Sequence, residues 1–176
     1  MPVFAFEGKY PKIDPTAFIA PTASIVGDVT IEENASVWYG AVVRGDFSPV
    51  LIKAGANIQD GSVVHAPPEN PTTIGRGATI AHNCVVHGAT IGDEALIANG
   101  AIVLDGAKVG ARTLVAAGAV VTSNTELPEG VLVMGVPAEV RRPLAGTPAE
   151  RWVRTNPLGY QQLARRHKNG VEPVGN

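Results

Sequence analysis

Aliphatic residues recur at every sixth position through most of this chain, a period that fits neither an α-helix nor an alternating strand. The runs are Ile19, Ile25, Ile31, Val37 and Val43; then Ile52, Ile58 and Val64; then Ile74, Ile80 and Val86. The last run is Ile91, Ile97, Val103, Val109, Val115, Val121, Leu127 and Val133. Hexapeptide periodicity marks a parallel β-helix. Each repeat is a short strand plus a turn, and three repeats close a triangular coil. Coils then stack about 4.8 Å apart, the spacing of paired strands. The aliphatic column points inward, and Gly, Asn and Asp serve the corners, where positive φ is often needed. A row of amphipathic helices is excluded by the period and by the abundance of Gly, Val and Ile. The expected fold is an all-β solenoid over residues 1–137, with an α-helical tail over 138–176 packed against it.

The phase slips three times. Val43 to Ile52 and Val64 to Ile74 are too long, and Val86 to Ile91 is one residue short. The long intervals contain "GDFSP" and "HAPPENPTT", which read as loops pushed out at a corner. Pro67, Pro68 and Pro71 cannot donate to a ladder. The short interval falls beside His87 and re-aims the local backbone, as a bulge does.

After Pro137 the character changes. Thr147-Pro148-Ala149-Glu150 is a capping box with proline at the first helical position. Asn156-Pro157 reads as a second helix start, and Gly170 as the stop. Trp152, Leu158, Leu163 and Tyr160 are candidates to bury this tail against the solenoid and cover its last open rungs. The segment "MPVFAFEGKYPKID" is expected to cover the first coil.

Charged residues make up only 17% of the 176 residues. A thin solenoid has much surface, so this low fraction points to sides buried against other subunits. A three-sided prism with such sides suits a homotrimer. A net charge of −2 argues against nucleic acid or an anionic membrane as partner. No apolar run has the length of a membrane span, and the lone Cys84 allows no internal disulfide, so the expected compartment is the cytoplasm.

Three of the four histidines, His65, His82 and His87, lie within 23 residues and on the repeat. His65 follows Val64 and His87 follows Val86, each at the same place in its coil. They are therefore expected on one face, one rung apart, close enough to bind one metal ion. His82 follows Ile80 by two and belongs to a different face. In a three-fold trimer, His82 of the partner subunit is placed to complete a His₃ set with an open fourth position, the pattern of catalytic zinc. Imidazole suits Zn²⁺, Fe²⁺ and Co²⁺ alike. Cys84 reads as a buried small residue and His167 as structural, near a helix C-terminus.

Arg44 and Asp46, with Asn57, Gln59 and Asp60, form a polar set in the same region. Arginine between carboxylates makes bidentate pairs, which at a subunit contact support metal ligands from behind.

The motifs "VVRGDF", "GANIQDGSVVH", "IGRGATIAHNCVVHGATIGDEALI" and "GAIVLDGAKVG" together resemble the γ-class carbonic anhydrases, over about residues 12–141. The resemblance implies a left-handed β-helix, a homotrimer with interfacial metal sites, and reversible hydration of CO₂ to bicarbonate, a lyase reaction. It implies that His65 and His87 come from one chain and His82 from the next. Arg44, Asp46 and Asp60 match positions that link subunits. Asn57 and Gln59 match positions near the metal, with Gln59 orienting the bound water, and Tyr160 approaches from the tail. The chain departs from the pattern at Phe47, where a glutamate is expected, and in the short 66–73 segment, whose one acidic residue is Glu69. Two other readings carry different expectations. A metal-bearing trimeric scaffold would show little hydration activity, and a hexapeptide acyltransferase would need one catalytic histidine and a groove for acyl-coenzyme A.

Overall fold

The computed structural model describes residues 2–175, and over them the chain winds a parallel β-solenoid of about seven coils followed by a single helix. Its three inward columns are the hexapeptide columns. On the first face Ile25, Val43, Val64, Val86, Val103 and Val121 stack in register. The second face stacks Ile13, Ile31, Ile52, Ile74, Ile91, Val109 and Leu127. The third stacks Ile19, Val37, Ile58, Ile80, Ile97, Val115 and Val133. All are buried except Ile13 and Ile19 of the first coil. A fully buried aliphatic side chain of this size stabilises the fold by about 1.5–3 kcal/mol. Alanines two residues before the column, such as Ala23, Ala41, Ala56 and Ala78, are also buried, because a narrow triangular interior has room at its corners only for a methyl group.

The outward ladders of the three faces differ. The first presents Val42, Val63, Val85, Ile102 and Val120. The second presents mainly Thr30, Thr73, Thr90, Lys108 and Glu126. The third presents Ser36, Asn57 and Thr79 in its middle and Phe18, Leu96 and Leu114 towards its ends.

The slips resolve in three ways. Residues 66–71 form the expected loop between strands Val63–His65 and Thr72–Ile74. "GDFSP" does not: it lies within one continuous strand, Val42–Ile52, paired to Ser24–Ile31 on both sides of the insertion. Between the pairs Gly27–Gly45 and Val29–Val50 the longer strand carries three surplus residues, so the insertion is a bulge that leaves the ladder intact around it. Glycine is required there, since a Cβ on Gly27 would sit 2.5 Å from the Gly45 carbonyl oxygen. The short corner after His87 turns at Gly88, with φ +59°.

The N-terminal segment is not a cover over the first coil but part of it. Strands Val3–Phe4 and Lys12–Ile13 pair in parallel with Ser24–Ile31. At the other end, strand Glu139–Pro143 turns back antiparallel to Val131–Met134 and covers one edge of the last coil. The helix Pro148–Gly170 then runs back along the third face, against strands Phe18–Ile19, Ser36–Val37 and Asn57–Ile58. Thr147 caps it, accepting from the Glu150 N–H, while Glu150 accepts from the Gly146 N–H. Pro157 starts no second helix. It lies buried inside one continuous helix, where the single lost hydrogen bond is outweighed by packing of its ring. Gly170 is the last helical residue, and Val171 supplies the cap.

The buried face of the helix is Val153, Pro157 and Ala164, with Tyr160 and Leu163 half-buried beside them. Trp152 and Leu158, expected inside, are 47% and 56% exposed, because the helix docks through a different stripe. His167 is not isolated: its ring packs on Phe18, Trp38 and Tyr39, and Nδ1 lies 3.0 Å from the Tyr39 hydroxyl. No helix among the described residues is long and apolar enough to cross a membrane.

Candidate metal centre

His65 ends strand Val63–His65 and His87 ends strand Val85–His87, and the two are register partners on the first face. Val64 and Val86 point inward, so both imidazoles point outward, with ring centroids 4.9 Å apart. His65 Nδ1 lies 3.0 Å from His87 Nε2. The outer nitrogen of each ring meets a carboxylate. Asp46, on the bulge, has Oδ1 2.8 Å from His65 Nε2, and Arg44 closes on its other oxygen. Asp105 contacts His87 Nδ1 through Oδ1. Burial by itself would raise the Asp46 carboxyl. Hydrogen bonds from His65 and Arg44, with the Arg44 charge, outweigh it and hold Asp46 below the ordinary carboxylate value.

This arrangement fits a cation. A neutral imidazole carries one N–H. If each ring donates its N–H to its carboxylate, the two inner nitrogens face each other as lone pairs, an arrangement that calls for a positive charge between or beside them. Two nitrogens on one tetrahedral zinc lie about 3.3 Å apart for bonds of about 2.0–2.1 Å. The observed pair needs only a few tenths of an ångström to open.

His82 stands apart, on the corner that leads from the third face to the first, after strand Thr79–Ile80. Its Nδ1 is 2.9 Å from Asp60 Oδ2, one coil earlier, and its Nε2 is 3.4 Å from the Tyr160 hydroxyl. Burial, and then the Asp60 charge, push the Tyr160 phenol above its ordinary value. The three candidate histidines therefore form one pair and one separate residue, each imidazole backed by an aspartate. Among the described residues no group of three or more His, Cys, Asp or Glu side chains is placed to hold a metal within one chain.

Gln59 and Asn57 are buried. Gln59 Nε2 donates to Asn57 Oδ1 at 2.9 Å, and Asn57 Nδ2 donates to Thr79 Oγ1 at 2.9 Å. Asn156 of the helix donates to the same hydroxyl, also at 2.9 Å. Within the chain this amide network ties the helix to the third face and does not bond to a histidine. Phe47 is 61% exposed, its ring centroid 6.3 Å from that of His65. Glu69 sits in the 66–71 loop with φ +65°. Cys84 is buried, and its thiol is pushed up to about 11 by desolvation, which outweighs its backbone hydrogen bonds.

Asp105 is the residue that sequence reasoning missed. The signal was present: Val86 pairs with Val103, so the next coil sets Leu104 beside His87, and the "VLDG" aspartate follows one residue later at the same corner. A cleft of about 430 Å³ runs between the helix and the turns at Gly55 and Gly77, and none of the three site histidines lines it.

Comparison with known proteins bears on this geometry. Residues 88–123 match the family model described as bacterial transferase hexapeptide (six repeats). The chain is 42% identical to the mitochondrial gamma carbonic anhydrase 1 of Arabidopsis thaliana over 90% of its length, and spans 60% of that protein. It is 42% identical to a carbonic anhydrase of Geobacillus kaustophilus, covering 81% of this chain and 78% of that one. The carnitine operon protein CaiE of Escherichia coli is 38% identical over 94% of this chain and 84% of its own. Among solved structures, a putative acetyltransferase of Bacillus cereus superposes with a TM-score of 0.92 at 33% identity, covering 94% of this chain and 96% of that one. A hexapeptide fold, a paired-histidine face and this degree of identity over most of both chains agree: the chain belongs to the γ-class carbonic anhydrase-like family of hexapeptide-repeat proteins.

Proposed function

We propose that the chain assembles as a homotrimer in which His65 and His87 of one subunit and His82 of the partner subunit hold a divalent metal, and that this site hydrates CO₂ reversibly to bicarbonate. The observation that carries the reading is the His65–His87 pair, one rung apart on an open face, with each outer nitrogen on a carboxylate. Zinc is the first expectation; Fe²⁺ and Co²⁺ suit the same imidazoles. When bound, a dication held by three neutral imidazoles lowers the pKa of a coordinated water toward about 7 and supplies hydroxide at neutral pH.

The residues around it have distinct tasks. Asp46 and Asp60 orient His65 and His82 through their outer nitrogens, and Arg44 keeps Asp46 ionised. Gln59, held by Asn57, orients the attacking oxygen, with Tyr160 beside it. Phe47, its ring centroid 6.3 Å from that of His65, supplies an apolar wall suited to CO₂, which carries no charge. Bicarbonate, once formed, is held less well by that wall and leaves. The experiment is metal content per chain on protein purified without chelator, with solution mass and stopped-flow CO₂ hydration. About one metal per chain, a trimeric mass and hydration lost in His65→Ala support the reading. A metal-free protein that takes up neither zinc nor anaerobic iron(II) would sink it.

A second reading is favoured by the relatives named for a carnitine operon and for acetyl transfer. Here the trimer carries metal but acts as a scaffold, or works on another substrate. It expects full metal content with CO₂ hydration no faster than that of aqueous zinc.

A further inference from the structure

We infer that Asp105 is a positioning residue: its carboxylate keeps the His87 proton on Nδ1, so that Nε2 is presented as a lone pair to the metal shared with His65. This inference rests on the metal reading above. Three observations carry it.

The first is what Asp105 does not do. Asp93, at a corner of the preceding coil, uses its carboxylate to accept a backbone N–H, that of Arg76, at 2.8 Å. Asp105 makes no such turn bond, and among the described residues it has no lysine or arginine partner. Its one side-chain hydrogen bond is to His87 Nδ1.

The second is that the corner is built for this approach. Gly106 N–H donates to the Gly88 carbonyl at 2.7 Å, which ties the Asp105 turn to the turn directly after His87. A Cβ on Gly88 would lie 2.8 Å from Asp105 Oδ1, so only glycine there leaves the carboxylate its place. The Asp105 backbone is anchored in turn by the Asn124 N–H, at 2.9 Å.

The third is chemical. An unconstrained neutral histidine side chain favours the proton on Nε2, the atom that here faces His65. A carboxylate accepting at Nδ1 reverses that preference and fixes the ring plane. Carboxylates behind ligating histidines typically account for 10–100-fold in metal affinity.

The test uses the full-length trimer. Zinc affinity is measured by competition with a chelator, and the His87 tautomer is read in metal-free protein from long-range ¹⁵N–¹H correlations. Wild type is expected to show Nδ1–H. Asp105→Ala should move the proton to Nε2 and weaken zinc binding by about 10–100-fold. Asp105→Asn, whose Oδ1 still accepts, should fall between the two. Glu126→Gln, on the exposed second face, should change neither readout. Circular dichroism and solution mass verify that each variant folds and assembles. Wild-type zinc affinity in Asp105→Ala, or an unchanged tautomer, overturns the role of Asp105 alone. Failure of wild type to bind zinc overturns the metal reading, and the purpose assigned to Asp105 with it.

Discussion

The first and third faces of the solenoid are built from the same repeat, have the same inward column, and end up in different situations. Both present outward residues that water does not favour. On the third, Phe18, Leu96 and Leu114 are covered by the chain's own helix and by Leu144 just before it, and all are buried. On the first, Val42, Val63, Val85, Ile102 and Val120 stay partly exposed, with Val63 at 38%. Among the described residues the chain supplies a cover for one apolar face and none for the other. His65 and His87 project from the uncovered face, and His82 from the corner between the two. The proposed shared site requires such an apolar stripe beside two of its three histidines, because the same contact that excludes water also brings the third.

That contrast can be broken most forcefully at the proposed ligands. His82→Ala should leave less than about a tenth of wild-type metal, because two imidazoles alone bind a dication weakly, while the solution mass stays that of the assembly. Metal content with light scattering checks both halves. Retention of metal would mean that His82 is not the third ligand. Next comes the open face itself. Val85→Arg should dissociate the assembly, since burying an unpaired charge costs several kcal/mol, whereas Thr90→Arg on the second face should leave the mass unchanged. Equal behaviour of the two variants would show that the first face is not the interface.

A core substitution affects all faces alike. Ile80→Ala should cost about 2–5 kcal/mol in denaturant unfolding, from lost transfer energy plus the cavity left behind. A loss below about 1 kcal/mol would mean that the interior collapses around the gap. The smallest effect is expected at Cys84. With burial pushing its thiol up to about 11 from an ordinary value of 9.0, the folded protein holds roughly a hundredfold less thiolate at pH 8 than an exposed cysteine. Alkylation at that pH should be correspondingly slow, and should become fast only in denaturant.

How far these features could be read in advance follows from their range along the chain. The three columns were legible because each aliphatic residue answers to its own position in a six-residue period. The stacking of His65 on His87 was legible for the same reason, since each directly follows a column residue of the same face. The bulge over "GDFSP" was not, because a run of turn formers looks the same whether a loop leaves the sheet or a paired strand swells. Nor was the role of the N-terminus, whose strands are only two residues long and exist by virtue of pairing with Ser24–Ile31. Pro157 and Asn156 carry local signals of a helix start. They were overridden because the helix buries a stripe through Val153, Pro157 and Ala164.

By itself the amino-acid sequence determined the period, the inward columns, the corner residues and the faces on which the histidines stand. These depend on steric and solvation preferences repeated coil by coil, and repetition makes a weak local signal unambiguous. The tertiary structure decided which side of the tail helix is buried, where Trp152 and Leu158 point, and which carboxylate meets which imidazole. Those outcomes depend on contacts between segments far apart in the chain, such as Tyr160 with His82 or His167 with Tyr39. No local preference encodes them, because the free energy that selects each one exists only once both partners are in place.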